Sequence, residues 1–277
     1  MRQKIYESNT YSGRSLAKHR RERKIKKIKS IFFAFGILGF LSINMINGKE
    51  ILGHWKTIDT KNQNHSNHTK TDILGEMYPQ DLLELLEKNE EAYEFVTGYP
   101  NRLDYIGKEI DIKDECELGK IPLLLQWDMR WGYDSYGNDI IGLAGCGPTC
   151  MTMAYLYLKG DMDMNPRKMA EYAYEKGYYT QAGTSWSFFT EGATELGLLG
   201  KELPLSEEKI KNTLDRGGVV ICSMRPGDFT TTGHFILLRG YDENGFFVND
   251  PNSRKNSERQ WDFDRLSSQI KCLWSEE

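Results

Sequence analysis

A cysteine flanked by glycines stands at the mouth of the strongest helical stretch in the chain. Gly145-Cys146-Gly147-Pro148-Thr149-Cys150 runs directly into Met151-Thr152-Met153-Ala154-Tyr155-Leu156-Tyr157-Leu158. Proline suits a first helical residue, because its missing N–H has no intrahelical partner to lose. The pattern therefore starts a helix at Pro148 and leaves Cys146 just ahead of it. The partial positive charge at a helix N-terminus stabilises a thiolate in that place. The flanking glycines permit a sharp turn and a close approach by another chain. Two readings fit this stretch, a buried cysteine in a glycine-rich turn and a thiol nucleophile. The second needs a base from elsewhere.

Charge is distributed unevenly. Residues 1–30 carry eleven Lys and Arg against Glu7 and Glu22, a net of +9, so the total of −4 leaves −13 for the rest. An acidic main body argues against nucleic acid as a partner. The basic segment leads into the uncharged run Ile31–Ile46. That run is slightly shorter than the ~20 residues that span a bilayer comfortably, and the positive cluster before it is expected to keep the N-terminus in the cytoplasm. A cleaved signal peptide is the competing reading, but no small-x-small cleavage site follows. The expected organisation is a basic cytoplasmic segment (1–30), a membrane anchor (31–47), a polar linker (48–72), a helical extension (73–118) and a main domain (119–277) outside the cell. His65 and His68 of the linker have no Cys or carboxylate neighbour to complete a metal site. Five cysteines make an odd count, which argues against an obligatory disulfide framework.

Along residues 79–97, Leu82, Leu83, Leu85, Leu86, Tyr93 and Val96 recur at helical spacing, with Asp81, Glu84, Glu87 and Glu91 opposite. This reads as one amphipathic helix packed on the main domain. Ile121–Gln126 is a short apolar run read as a strand. After the cysteine helix come helices near 166–176, 187–196 and 207–214. Gly217–Met224 and His234–Tyr241 read as strands, Asp242-Glu243-Asn244-Gly245 as a hairpin turn, and Phe246–Asp250 as the return strand, stopped by Pro251. Helices first and a strand meander last give an α+β class.

The main domain contains one histidine, His234, at a strand start after Gly233. A thiol nucleophile needs an imidazole that takes its proton and later protonates the leaving group. Counting outward from the hairpin turn brings Asp250 and Asn249 to the same end as His234. Alternation puts only one of them on the histidine's face, and both remain open as the residue that fixes the ring. Oxyanion donors are expected from the Cys146 N–H and the Gln126 side chain. Trp186, Gly145 and Gly233 are candidate substrate contacts, and Arg225 a candidate carboxylate holder. A metal site of Cys146, Cys150 and His234 is a poorer reading, since Cys-x-x-x-Cys is not the usual knuckle spacing. No cofactor is expected, because no phosphate-cradling glycine motif is present.

The order Ile121–Trp131, Gly145-Cys146-Gly147-Pro148-Thr149, Gly233-His234-Phe235 and Asn249-Asp250-Pro251-Asn252 resembles the C39-like cysteine peptidases of the papain-like superfamily, over about residues 120–275. The resemblance implies a papain-like fold and a bacterial, Gram-positive host. It also implies Cys146 as nucleophile, His234 as base then acid, Asp250 as orienting carboxylate and Gln126 as oxyanion donor. Better-known relatives cut bacteriocin leaders after a double glycine inside the cytoplasm, fused to ABC transporters. The anchored organisation read here points instead to an outside substrate, a polypeptide or an amide bond in cell-wall peptide stems, and to a monomer. A fold of this kind that binds such peptides without cutting them is the alternative.

Overall fold

The computed structural model describes residues 78–277. The basic segment, the anchor, the linker and the first residues of the extension lie outside the described residues. Among the described residues, no helix is long and apolar enough to cross a membrane.

The helices are α1 (Gln80–Lys88), α2 (Tyr93–Gly98), α3 (Ile141–Ala144), α4 (Cys146–Lys159), α5 (Pro166–Glu175), α6 (Glu191–Glu195), α7 (Glu207–Asp215), α8 (Arg254–Glu258) and α9 (Phe263–Ser267). Two short antiparallel ribbons, β1 (Ser135–Tyr136) with β2 (Asp139–Ile140) and β3 (Tyr179–Thr180) with β4 (Gly183–Thr184), flank the start of α4. The main sheet holds β5 (Gly200–Glu202), β6 (Val219–Met224), β7 (His234–Asp242), β8 (Gly245–Asn249), β9 (Gln260–Trp261) and β10 (Ile270–Glu276). Its order is β5-β10-β6-β7-β8-β9, all antiparallel. The α+β expectation matches this mixture of helices and antiparallel sheet.

Both faces of the sheet are covered, which is why β6 is buried at every residue. Its Val219 and Ile221 pack with Met153 and Ala154 of α4, and its Val220 and Cys222 with Ile210 of α7 and Leu266 of α9. A nearly continuous apolar strand is what a two-sided environment requires. At about 25 cal/mol per Å2 of apolar area, burial of each such Val or Ile side chain contributes about 1.5–3 kcal/mol.

Several expectations are corrected. The helix read over 79–97 is broken at Asn89, which is extended at φ −140°, ψ 95° and caps a short 3-10 turn (Glu90–Ala92) through its own side chain. The leucine periodicity persists across the break because both pieces bury against one surface. Leu82, Phe95 and Val96 form a third cluster with Leu125, Trp127 and Tyr133, and Phe95 stacks on Tyr133 at 4.5 Å. Gly142 makes that possible, since a Cβ there would lie 2.3 Å from the Phe95 ring. The helix read over 187–196 is a 3-10 turn (Trp186–Phe189) followed by α6. Ile121–Gln126 is in no sheet. It is held by single bonds, from Asn249 Nδ2 to the Pro122 carbonyl at 2.8 Å and from the Gln126 N–H to the Pro251 carbonyl at 2.8 Å. The last strand, β10, lies between β5 and β6, where the sequence pattern leads to no expected strand.

Candidate active site

Cys146 is the first residue of α4, preceded by Gly145 at φ −87° and ψ 14°. The helix thus begins two residues earlier than proline placement suggests, with Pro148 third. The first helical N–H groups have no intrahelical acceptor, so proline at the third position is as inexpensive as at the first. The Cys146 backbone N–H is another of these partnerless donors. Gly147 is required by contact rather than by torsion. A Cβ there would stand 2.4 Å from Thr184 Oγ1, which shares a 2.9 Å hydrogen bond with Tyr136 Oη. Gly145 closes the turn against α3, where a Cβ would meet Ile141 Cγ2 at 2.5 Å. Gly233 has open space beside it.

His234 opens β7 opposite Met224, the last residue of β6. Its Nε2 lies 2.7 Å from Asp250 Oδ1, and both side chains are buried. Donation from Nε2 leaves Nδ1 free, and the Cys146 side chain is near enough to act on the same ring. Burial opposes protonation of this imidazole. The charge and hydrogen bond of Asp250, with the Cys146 contact, outweigh it and push the ring up to about 10.

The register of the hairpin selects Asp250 over Asn249. Asp242 pairs with Gly245, Tyr241 with Phe246 and Gly240 with Phe247, but the next pair is Leu238 with Val248. Arg239 is therefore an extra residue, a bulge, and every pair beyond it moves by one. Asn249 comes opposite Leu237 and turns its amide to Pro122 and, at 3.6 Å, Met153 Sδ. Continuing the register sets Asp250 opposite Ile236, on the face of His234. A one-residue shift exchanges the faces of every side chain in a strand. The Asp250 carboxylate also accepts from the Asn252 N–H and from Asn256 Nδ2, each at 2.8 Å, while its backbone N–H donates to Ser257 Oγ at 2.8 Å. Asn252, Asn256 and Ser257 carry no sequence signal beyond the polar run after Pro251.

Gln126 lies close to the cysteine turn but is otherwise engaged. Its Nε2 donates to the Gly142 carbonyl at 3.0 Å and the Leu143 carbonyl at 3.3 Å. These carbonyls sit in the short α3, where the last turn leaves acceptors unfilled. The amide nitrogen, expected as an oxyanion donor, faces these two carbonyls in the structure. Cys150 is fully buried and donates to the Phe235 carbonyl at 3.4 Å, and burial pushes its thiol well up. Among the described residues, no three His, Cys, Asp or Glu side chains are grouped as metal ligands. Trp186 is half-exposed and meets Trp274 edge-on at 5.6 Å, so it is partly core and partly surface. Arg225 is engaged at the sheet end through its side chain to the Ile270 carbonyl.

A family model described as "Peptidase_C39 like family" matches residues 119–276. Four solved chains match. One is the peptidase domain of Streptococcus ComA, a bi-functional ABC transporter involved in a quorum-sensing pathway, with 16% identity, 48% of this chain and 89% of that chain covered, and a TM-score of 0.37. Another is a C39-like peptidase from Bacillus anthracis, with 16% identity, 58% and 96% coverage, and a TM-score of 0.36. No curated protein matches the chain.

Proposed function

Because the chain belongs to the C39-like peptidase family, we propose that it is a cysteine peptidase in which Cys146 attacks, His234 moves the proton and Asp250 holds the imidazole. The observation that carries this reading is the buried 2.7 Å pair of His234 and Asp250, with Cys146 at the start of α4 acting on the same imidazole.

The chemistry follows from that arrangement. Nδ1 of His234 takes the thiol proton, and Asp250 stabilises the imidazolium through Nε2–H. The Cys146 sulfur forms a bond to the substrate carbonyl carbon, whose oxygen gains negative charge next to the partnerless Cys146 N–H. Collapse breaks the C–N bond as the imidazolium proton passes to the leaving amine, leaving a thioester. Water then loses a proton to His234 and adds to the thioester carbon, and the C–S bond breaks to give the carboxylic acid and the regenerated thiol.

The substrate side of the proposal is a polypeptide, or an amide bond in a cell-wall peptide stem, outside the cytoplasm. The uncharged run Ile31–Ile46 behind a +9 segment supports an anchor with the catalytic domain outside.

Alkylation of Cys146 by iodoacetamide in the full-length protein tests the mechanism. A free thiol loses reactivity about tenfold per pH unit below its ordinary value of about 8.5. The expected result is labelling that stays fast down to pH 6 and becomes steeply pH-dependent in His234→Ala. A free-thiol profile indifferent to His234 refutes the mechanism and favours a peptide-binding module.

A further inference from the structure

The family match begins at residue 119, yet the turn that carries Asp250 is fastened by residues before it. Glu91, in the 3-10 turn between α1 and α2, reaches the 253–255 backbone. Its Oε1 accepts from Ser253 Oγ at 2.7 Å and from the Lys255 N–H at 3.3 Å, and its Oε2 accepts from the Arg254 N–H at 3.0 Å. Two residues earlier, Asn89 Nδ2 donates to the Asn252 carbonyl at 2.6 Å, an oxygen that also accepts from Trp127 Nε1 at 2.9 Å.

These contacts lie one step from the carboxylate itself. The Ser253 hydroxyl held by Glu91 accepts the Asn256 N–H at 3.1 Å. The Asn256 side chain in turn donates to Asp250 Oδ2. Asn252, held by Asn89, gives its N–H to Asp250 Oδ1. A charged acceptor on three donors is worth more than neutral hydrogen bonds of the same length, and Glu91 is half-buried, which limits screening by water. The segment that supplies it is anchored independently, because Leu82, Ala92, Phe95 and Val96 are all buried. A side chain on a firmly packed element is well suited to fix a turn.

We propose that Glu91 is a positioning residue for the reaction. It holds the 252–256 turn so that Asp250 stays within hydrogen-bonding distance of His234. Glu91, which precedes the family match at residue 119, thus supports the site from outside it. This rests on the Cys146–His234–Asp250 reading of the site.

The test is the same iodoacetamide labelling of the full-length protein, expressed as the ratio of rates at pH 9 and pH 6.5. Glu91→Ala frees the turn, weakens the Asp250 contact and destabilises the imidazolium, so the ratio rises at least threefold over wild type. Glu91→Gln keeps one acceptor oxygen and falls between, and it decides the question if the alanine variant does not fold. Glu90→Ala removes only the exposed partner of the Lys255 side chain and leaves the ratio unchanged. A wild-type ratio in folded Glu91→Ala or Glu91→Gln overturns the proposal. A free-thiol profile in the wild type, indifferent to His234→Ala, instead overturns the site reading on which it rests.

Discussion

Glu276 is the sharpest physical anomaly in the fold. It lies in β10 beside Gly200 and Val219, is fully buried, and neither carboxylate oxygen has a hydrogen-bond partner. A Cβ on Gly200 would come within 3.0 Å of Oε2, so the carboxyl group sits against backbone. Desolvation pushes it from 4.5 up to about 9. The folded protein therefore binds a proton here that the unfolded chain releases. A group raised in this way contributes stability that is complete below the unfolded value and is lost as the pH climbs through the folded one. The slope for one proton is about 1.4 kcal/mol per pH unit, so the interval from pH 5.5 to pH 8 costs about 3 kcal/mol out of a typical total of about 5–15 kcal/mol. Glu276→Gln keeps the shape and removes the titration. His234, also raised, contributes a slope of the same sign in both proteins, which cancels in the difference. Urea unfolding at the two pH values is the assay. The variant is expected to gain about 3 kcal/mol relative to wild type as the pH rises. Parallel stabilities across that range refute the assignment of a protonated, unpartnered Glu276.

Three further outcomes follow from the geometry. Asp250→Asn removes the charge that raises His234, so cleavage falls on the order of 10^3–10^4-fold, and the pH range of imidazolium retreats downward from about 10, measurable by the alkaline limb of Cys146 labelling. Gln126→Leu leaves the Gly142 and Leu143 carbonyls without donors and costs about 1–3 kcal/mol in urea unfolding. Because its amide is committed to those carbonyls, turnover of the folded variant is expected to fall by much less than the about 10^2–10^3-fold that loss of an oxyanion donor brings, and a loss of that size would restore Gln126 to the oxyanion site. Arg167 donates to Asp134 at 2.6 Å and to the Arg130 carbonyl at 3.0 Å in a poorly exposed position. Arg167→Ala strands the Asp134 charge and is expected to lower the unfolding free energy by about 3–5 kcal/mol.

Local chemistry sufficed for the parts of the site that depend on a few neighbouring residues. The glycines and proline around Cys146 dictate a turn into a helix, and only the exact first residue shifted, because the third helical position tolerates proline as readily as the first. His234 at a strand start and the Asn244-Gly245 turn are likewise written in short stretches, as is the helices-then-strands order that gives the α+β class. What needed the tertiary structure is whatever depends on a long-range count or contact. The choice of Asp250 over Asn249 turns on the single extra residue at Arg239, because one residue of register exchanges the two faces of a strand. Insertion of β10 between β5 and β6 is a pairing across the whole domain, which no local pattern encodes. The Gln126 amide went to carbonyls left unfilled by α3, a need visible only once that short helix exists. The hold of Glu91 on a turn 162 residues further along the chain exists because packing, and nothing in the intervening sequence, brings the two together.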